Sequence, residues 1–246
     1  MDSDYNKRIW DRYVSTFFSN AHPIDKLVDE YKTTARYYKK NYLKHLPENK
    51  ECSILEIGCG LGHFLNFLEK WGYKKYIGIG LSDEEIGVCR RFNFNVLKAD
   101  VFNFLEDKRG SFDVVVLNDT IEHFTRSEVV RLLQLIHSCL KGGGTLFVKT
   151  VNMSNYITAP SGRYIDFTHK IGFTEESLKQ VCLFAGLDSV KVFGADIYVF
   201  YFNPLNYIAK FLSFILGWGM RLSFLLYGRK TTKIFSKNII AVCRKE

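Results

Sequence analysis

Hydrophobic positions along the chain switch between two periods. Compact apolar runs at 53–57, 76–80, 95–99, 112–117 and 145–148 read as buried strands, and two more follow at about 187–193 and 238–243. Between them apolar residues recur every three or four positions: Leu61, Phe64, Leu65 and Leu68 in one helix, Val129, Leu132, Leu133, Ile136 and Leu140 in another, and a third over 175–185. Gly72 and Gly186 stand where helices should stop, 141–144 reads as a glycine turn, and Asp83, Glu84 and Glu85 enrich the start of the helix after the second strand. Strand and helix alternating with short connections predict a doubly wound, mostly parallel, seven-stranded α/β sheet. Two stretches stand outside that rhythm. Residues 1–50 predict a helical cap, with Ile24, Leu27, Val28, Tyr31, Ala35, Tyr38 and Tyr42 at helical spacing and Trp10, Tyr13, Phe17 and Phe18 on a shorter amphipathic piece before them. Residues 204–237 predict an apolar helical insertion ahead of the last strand, with a bend at Gly217-Trp-Gly219.

The first strand runs through Glu56 into Gly58, Gly60 and Gly62 and then straight into a helix. Glycines there let the backbone approach a ligand closely, and the helix N-terminus beyond offers unpaired N–H groups. The spacing is not the G-x-G-x-x-G of a dinucleotide site, and no G-x-x-x-x-G-K-[ST] phosphate loop is present. Glu56-x-Gly58-x-Gly60-x-Gly62 resembles the first motif of the class I S-adenosylmethionine-dependent methyltransferases. The resemblance implies a Rossmann-like sheet in which Glu56 positions the methionine end of the cofactor and Gly58, Cys59, Gly60 and Gly62 pass beneath it. It continues over roughly residues 50–200. Asp100, at the end of the third strand, matches the family position that contacts the adenine amino group, with the Val101 N–H beside it. A helix N-cap is an equally good role for Asp100, and the two coexist. Asn118-Asp119-Thr-Ile-Glu122-His123 resembles the fourth motif of the small-molecule branch, with Asn118 expected against the cofactor.

One position departs from the family. The second strand ends at Gly80, followed by Leu81, where the family usually carries an acid that takes both ribose hydroxyls. Backbone alone remains to line the cofactor there, and each lost charge-assisted hydrogen bond costs about 1.5–3 kcal/mol. The explanations are an altered sequence, ribose binding by a nearby acid such as Asp83, or a degenerate site, which would make the chain a non-catalytic binding module.

Residues 152–173 form a long connection carrying Tyr, Arg, Asp and His, a length and composition that argue for function. Its Asp166-Phe-Thr-His169 run, followed by Gly172-Phe-Thr-Glu-Glu-Ser-Leu178, resembles a segment of methyltransferases of bacterial surface-glycan pathways. Methyl transfer asks for in-line alignment and a proton acceptor. His123 and His169 are the candidate bases, oriented by Asp119, Glu122 or Asp166. No metal is assigned, because an oxygen-rich divalent site needs more converging carboxylates than the sequence brings together.

Length and composition set the remaining limits. The 246 residues, 47% apolar, suit one α/β unit, expected to span 51–203 plus 238–246, with the cap and the insertion as decoration. The six cysteines keep no zinc spacing and read as reduced core residues of a cytoplasmic protein, and the first thirty residues lack a signal-peptide core. From Pro204 onward, eight Lys or Arg residues stand against Glu246 alone, so this tail holds seven of the eight net positive charges. Apolar and basic residues interleave there, which suits a helix in an anionic membrane interface at the inner face, with a substrate cap or an oligomer surface as the other readings. No Asn-Pro-Pro-Tyr-like motif follows the fourth strand, which speaks against nucleic acid. The expected activity is S-adenosylmethionine-dependent O-methylation of a sugar or other small hydroxyl compound in glycan or glycolipid synthesis, with S-adenosylhomocysteine as product.

Overall fold

The computed structural model describes residues 9–18, 24–195, 203–230 and 232–246. Seven strands form one sheet: β1 (Ile54–Ile57), β2 (Tyr76–Gly80), β3 (Val96–Lys98), β4 (Phe112–Asn118), β5 (Leu140–Val151), β6 (Ser189–Gly194) and β7 (Asn238–Arg244). Their order is β3-β2-β1-β4-β5-β7-β6, with β7 antiparallel to both neighbours and the other pairs parallel. This is the predicted doubly wound sheet, and the apolar runs are continuous because both faces are covered. Ile54, Val114, Val116, Phe147 and Ile240 face one layer, where they meet α1 (Leu27–Asn41), α2 (His63–Lys70) and α3 (Asp83–Arg91). Leu55, Ile57, Val115, Leu117 and Ile239 face the other, against α4 (Val101–Leu105), α5 (Arg126–Cys139) and α7 (Glu175–Phe184).

Helix starts follow the sequence. Ser82 caps α3, Thr125 and Glu128 make a reciprocal capping box on α5, and Thr174 with Ser177 does the same for α7. Three expectations change in detail. The glycine turn at 141–144 lies within β5, as a bulge between the pairings Phe112–Leu140 and Val114–Thr145. The long connection contains a short helix, α6 (Ala159–Tyr164), and is tied to the chain before β7: Asn152 Nδ2 donates to the carbonyls of Ile234 and Ser236, and Asn155 Nδ2 to that of Phe235. The apolar insertion forms α8 (Leu205–Leu226), which runs unbroken through Gly217 and Gly219. Only Met220 of α8 is buried. The expected boundary at 203 adjoins residues 196–202, which lie outside the described residues, as do the side chains of Phe17 and Phe18.

Candidate functional site

Strand order reverses between β1 and β4, and the crevice outside their carboxyl ends is where ligands bind in open α/β sheets. The glycine turn forms its floor. Gly58 and Gly62 have φ of 72° and 81°, a region unfavourable to side chains; a Cβ would lie 2.5 Å from Thr120 Oγ1 at Gly58 and 2.7 Å from the Phe94 ring at Gly62. Glycine is therefore required at both on two counts.

One half-open cleft is lined by Glu56, Gly58, Cys59, Gly60, Leu61, Glu85, Asn118, Asp119, Thr120, His123 and Lys149, with Trp10, Tyr13, Thr34 and Tyr38 closing it from the cap side. Asn118 Nδ2 donates to Glu56 Oε1 at 3.0 Å and Asn118 Oδ1 accepts from the Tyr42 hydroxyl at 2.5 Å, which fixes the amide. Glu56 Oε2 has no hydrogen-bond partner among the described residues. Burial pushes the Glu56 carboxyl up to about 8, against the pull of Asn118 and Lys149. A buried carboxyl oxygen with nothing to bind, at the floor of a cleft, is a polar atom waiting for a ligand, and a cationic donor placed there would favour the carboxylate form.

At the far wall, the connection after α6 folds against the segment after β4. Thr168 Oγ1 donates to Asp166 Oδ1 at 2.7 Å, so its single proton is spent. It must then accept from His123 Nδ1, 2.7 Å away, which leaves Nε2 as the unprotonated nitrogen of His123. Burial, then His169 nearby, push the His123 imidazole down to about 4, against the pull of Asp166 and Asp119, so it is neutral near pH 7. His169 packs edge to face on His123 with ring centroids 4.8 Å apart, and its Nδ1 is 2.9 Å from the Gly162 carbonyl, which can only accept. Tyr13 donates to Asp166 Oδ2. Burial raises the Asp166 carboxyl, but the hydrogen bonds from Tyr13 and Thr168 outweigh it and hold the group below the ordinary carboxylate range. The Trp10 ring lies tilted against Tyr13 at 4.9 Å and edge-on to His123 at 5.4 Å, closing this corner.

The structure thus brings Glu56, Gly58, Cys59, Gly60, Asn118, Asp119 and His123 to one cleft, with Asp166 and His169 behind His123. Gly62 lies under the turn against Phe94, and Gly80, Leu81, Asp100 and Val101 lie at the ends of β2 and β3, beside the cleft rather than on its wall. Asp100 Oδ1 accepts from the N–H groups of Phe102 and Asn103, the cap role foreseen for it. Asp119, expected to orient a histidine, instead pairs with Lys149, while Asp166 reaches His123 through Thr168. Asp83, the nearby acid named for the ribose, has a side chain that is 69% exposed and pairs with Lys98. Glu85, which the sequence reading took as a helix-start acid, is buried instead and lines the cleft; burial, then Glu84, push its carboxyl up to about 7. Lys149 was also missed, although a lysine inside the apolar run of β5 was a signal. Burial works against its charge, yet Asp119 and three tyrosines hold its pKa well above the ordinary value.

The family profile described as a methyltransferase domain matches residues 30–192. The chain is 24% identical over 207 residues to the mitochondrial ubiquinone biosynthesis O-methyltransferase of Dictyostelium discoideum, covering 76% of this chain and 63% of that protein. It is 26% identical over 160 residues to the protein of the same description from Mus musculus, covering 58% and 40%. The chain therefore spans less than two thirds of the length of these curated relatives. Among solved structures, a SAM-dependent methyltransferase from Archaeoglobus fulgidus superposes with a TM-score of 0.63 at 22% identity, covering 89% of this chain and 99% of that one, a likeness of fold. With the profile covering well over half its length and the glycine turn built as described, the chain belongs to the class I S-adenosylmethionine-dependent methyltransferase family.

Proposed function

We propose that the protein transfers a methyl group from S-adenosylmethionine to a hydroxyl oxygen of a small, lipid-borne acceptor at the cytoplasmic face of a membrane. The observation that carries the transfer is the cleft itself, which is lined both by Glu56, whose Oε2 has no partner among the described residues, and by a neutral His123 whose lone pair lies on Nε2. The cofactor supplies, when bound, a methyl group on a sulfonium leaving group, so the protein's share is alignment and removal of one proton. The residues fit it. Glu56 Oε2 would hold the ammonium of the methionine end, and the glycine turn at Gly58 and Gly60 would let the backbone approach the cofactor closely. We assign the ribose hydroxyls to Glu85, which takes over from Gly80, and the adenine edge to Asp100 and the Val101 N–H. Trp10 and Tyr13 exclude water. His123 Nε2 accepts the hydrogen bond of the acceptor hydroxyl and takes its proton, held in that tautomer by Thr168 and Asp166.

The acceptor class rests on two supports. The curated relatives are O-methyltransferases of ubiquinone biosynthesis. The 22-residue α8 is long and apolar enough for a membrane: its most apolar 18-residue stretch has a mean hydropathy of 1.4, and only 6% of that stretch is buried. Arg229, Lys230, Lys233 and Lys237 follow it, as an anionic lipid surface favours. Sugar acceptors remain within this class as glycolipid headgroups.

The test is transfer of labelled methyl in anionic liposomes carrying a prenylated phenol or a glycolipid, against the same headgroups in water-soluble form. Labelling of a lipid-borne hydroxyl compound supports the proposal. Binding of S-adenosylhomocysteine with no transfer to any acceptor points to a binding module, and transfer to soluble sugars alone overturns the membrane assignment.

A further inference from the structure

A groove of about 700 Å³ runs between α8 and the segment 232–237 that leads into β7, and it shares no residue with the cofactor cleft. We propose that this groove binds one membrane lipid by its phosphate, a monoester or pyrophosphate group, with Arg221, Lys233 and Lys237 around the phosphate and the hydrocarbon chain along α8. Such a site presupposes that α8 faces lipid, the reading already proposed, and is independent of the methyl transfer.

The two walls bring cations together without acids. Lys210, Ser213, Gly217 and Arg221 recur at helical spacing and form the polar stripe by which α8 lines the groove. Ile208, Leu212, Ile215 and Leu226 lie on the opposite face and are exposed. On the facing wall, Lys233, Phe235 and Lys237 line the groove while Ile234 between them packs on the core, the alternation of an extended segment. That wall is fixed by the Asn152 and Asn155 amides, which donate to the carbonyls of Ile234, Ser236 and Phe235, and by the Phe235 ring edge-on to Phe224 at 5.3 Å. No Asp or Glu is among the described residues that line the groove. Like charges gathered around one groove repel each other, and an anion between them turns that repulsion into attraction.

Two further features of the groove call for an occupant. Thr158 Oγ1 lines it, is shielded from solvent and has no hydrogen-bond partner among the described residues, so its proton is available to a phosphate oxygen. Gly217 lies in mid-helix, where glycine is less stable than alanine, yet a Cβ there would meet nothing within 4 Å. No protein neighbour demands that glycine; a group lying against the helix does. Arg221 sits over the Trp218 ring at 5.6 Å, which steadies a guanidinium whose planar fork can hold two phosphate oxygens. A phosphate monoester carries about −1.5 to −2 charges at pH 7, a better match to three cations than the single charge of a diester. Phe214, Leu216 and Trp218 make the rest of the α8 wall apolar, and each is more than half exposed. A free phosphate ion would leave that wall wet, whereas a phosphate on a hydrocarbon chain covers it.

The experiment is calorimetric titration of the full chain with dihexanoyl phosphatidic acid below its micelle concentration, beside dihexanoyl phosphatidylglycerol and inorganic phosphate, so that no bilayer is present. The expected result is one phosphatidic acid per chain, bound at least ten-fold more tightly than the diester or the free ion. The double variant Arg221→Gln with Lys237→Gln should lose at least ten-fold, and Gly217→Leu, which fills the groove and suits a helix, should lose as much with its circular dichroism unchanged. Lys74→Gln with Lys75→Gln, which removes the same charge away from the groove, should bind as the parent does. Absence of saturable binding by the parent overturns the proposal whether or not the variants fold. Inorganic phosphate or the diester binding as tightly as phosphatidic acid overturns it too, as does undiminished binding in the folded groove variants or an equal loss in the Lys74 and Lys75 control. Flotation of the same chain with anionic liposomes separates the two readings: flotation without saturable short-chain binding removes the groove site and leaves α8 facing lipid, and loss of both removes both.

Discussion

Glu85 shows how one side chain can be a cost to the fold and a gain to the site. Its carboxyl is buried, with a pKa raised to about 7 from an ordinary value near 4.5, so between those values the folded chain keeps a proton that the unfolded chain releases. The sign follows: this group's contribution is intact below about pH 4.5 and declines as pH rises to about 7, with no further loss above. Glu85→Gln removes the cost. The cofactor-free variant should therefore melt higher than the parent at pH 8 and equal to it at pH 4.5 by scanning calorimetry. The same substitution should weaken S-adenosylhomocysteine about ten-fold or more by isothermal calorimetry, since a neutral amide replaces the proposed ribose acceptor. A Cβ at Gly80 would make only ordinary contacts, 3.8 Å from Ile86 and 3.9 Å from Cys59 Sγ, so Gly80→Asp should fold. If Glu85 holds the ribose, Gly80→Asp adds little in the parent and restores binding in Glu85→Gln; equal affinity of Glu85→Gln and the parent would refute the assignment. Glu85 was hidden in the sequence because it follows two other acids at a helix start, where charge complementarity alone explains all three. Only the turn of α3 separates the third, facing inward, from Asp83, facing Lys98.

At the scale of elements, helix α5 carries no cleft residue but sets the start of one whole face of the core. Its capping box joins Thr125 and Glu128, with the Glu128 carboxylate receiving the Thr125 N–H at 2.7 Å. Thr125→Ala should lower stability by about 1 kcal/mol in urea unfolding while leaving cofactor affinity unchanged, because nothing in the cap reaches the cleft. Such elements were legible in the sequence: β2 falls at Tyr76–Gly80 as read, and α7 stops before Gly186, whose φ is 93°. What was not legible is association between distant elements. The Asp166-Phe-Thr-His169 run signals a functional loop, but that Thr168 bridges Asp166 to His123 depends on how the 152–173 connection folds back across the sheet end, and that Asp119 turns to Lys149 instead depends on β4 pairing with β5. The glycine turn is the opposite case, because positive φ and close packing both leave their mark in residue type.

For the whole molecule the dominant asymmetry is electrical and apolar together. Seven of eight net charges and the exposed helix α8 belong to the same tail, while the sheet carries the chemistry. Flotation with liposomes should show binding that rises with the fraction of anionic lipid and falls with salt, and the combined substitution of Arg229, Lys230, Lys233 and Lys237 by Gln should abolish the salt-sensitive part. Binding indifferent to both lipid charge and these residues would leave the apolar face to another partner.

The position of β7 has a consequence for synthesis. It follows α8 in the chain yet lies between β5 and β6 in the sheet, with seven register pairs to one and six to the other. On the ribosome, β5 and β6 emerge with facing edges open, and the strand that stitches them arrives only after the apolar helix has left the tunnel. Their unpaired N–H and C=O groups are then a template for any passing strand. On the proposal that α8 meets a lipid surface, capture of that helix at this moment would shield the greasy segment while the sheet awaits closure, and the order of translation would favour assembly beside a bilayer.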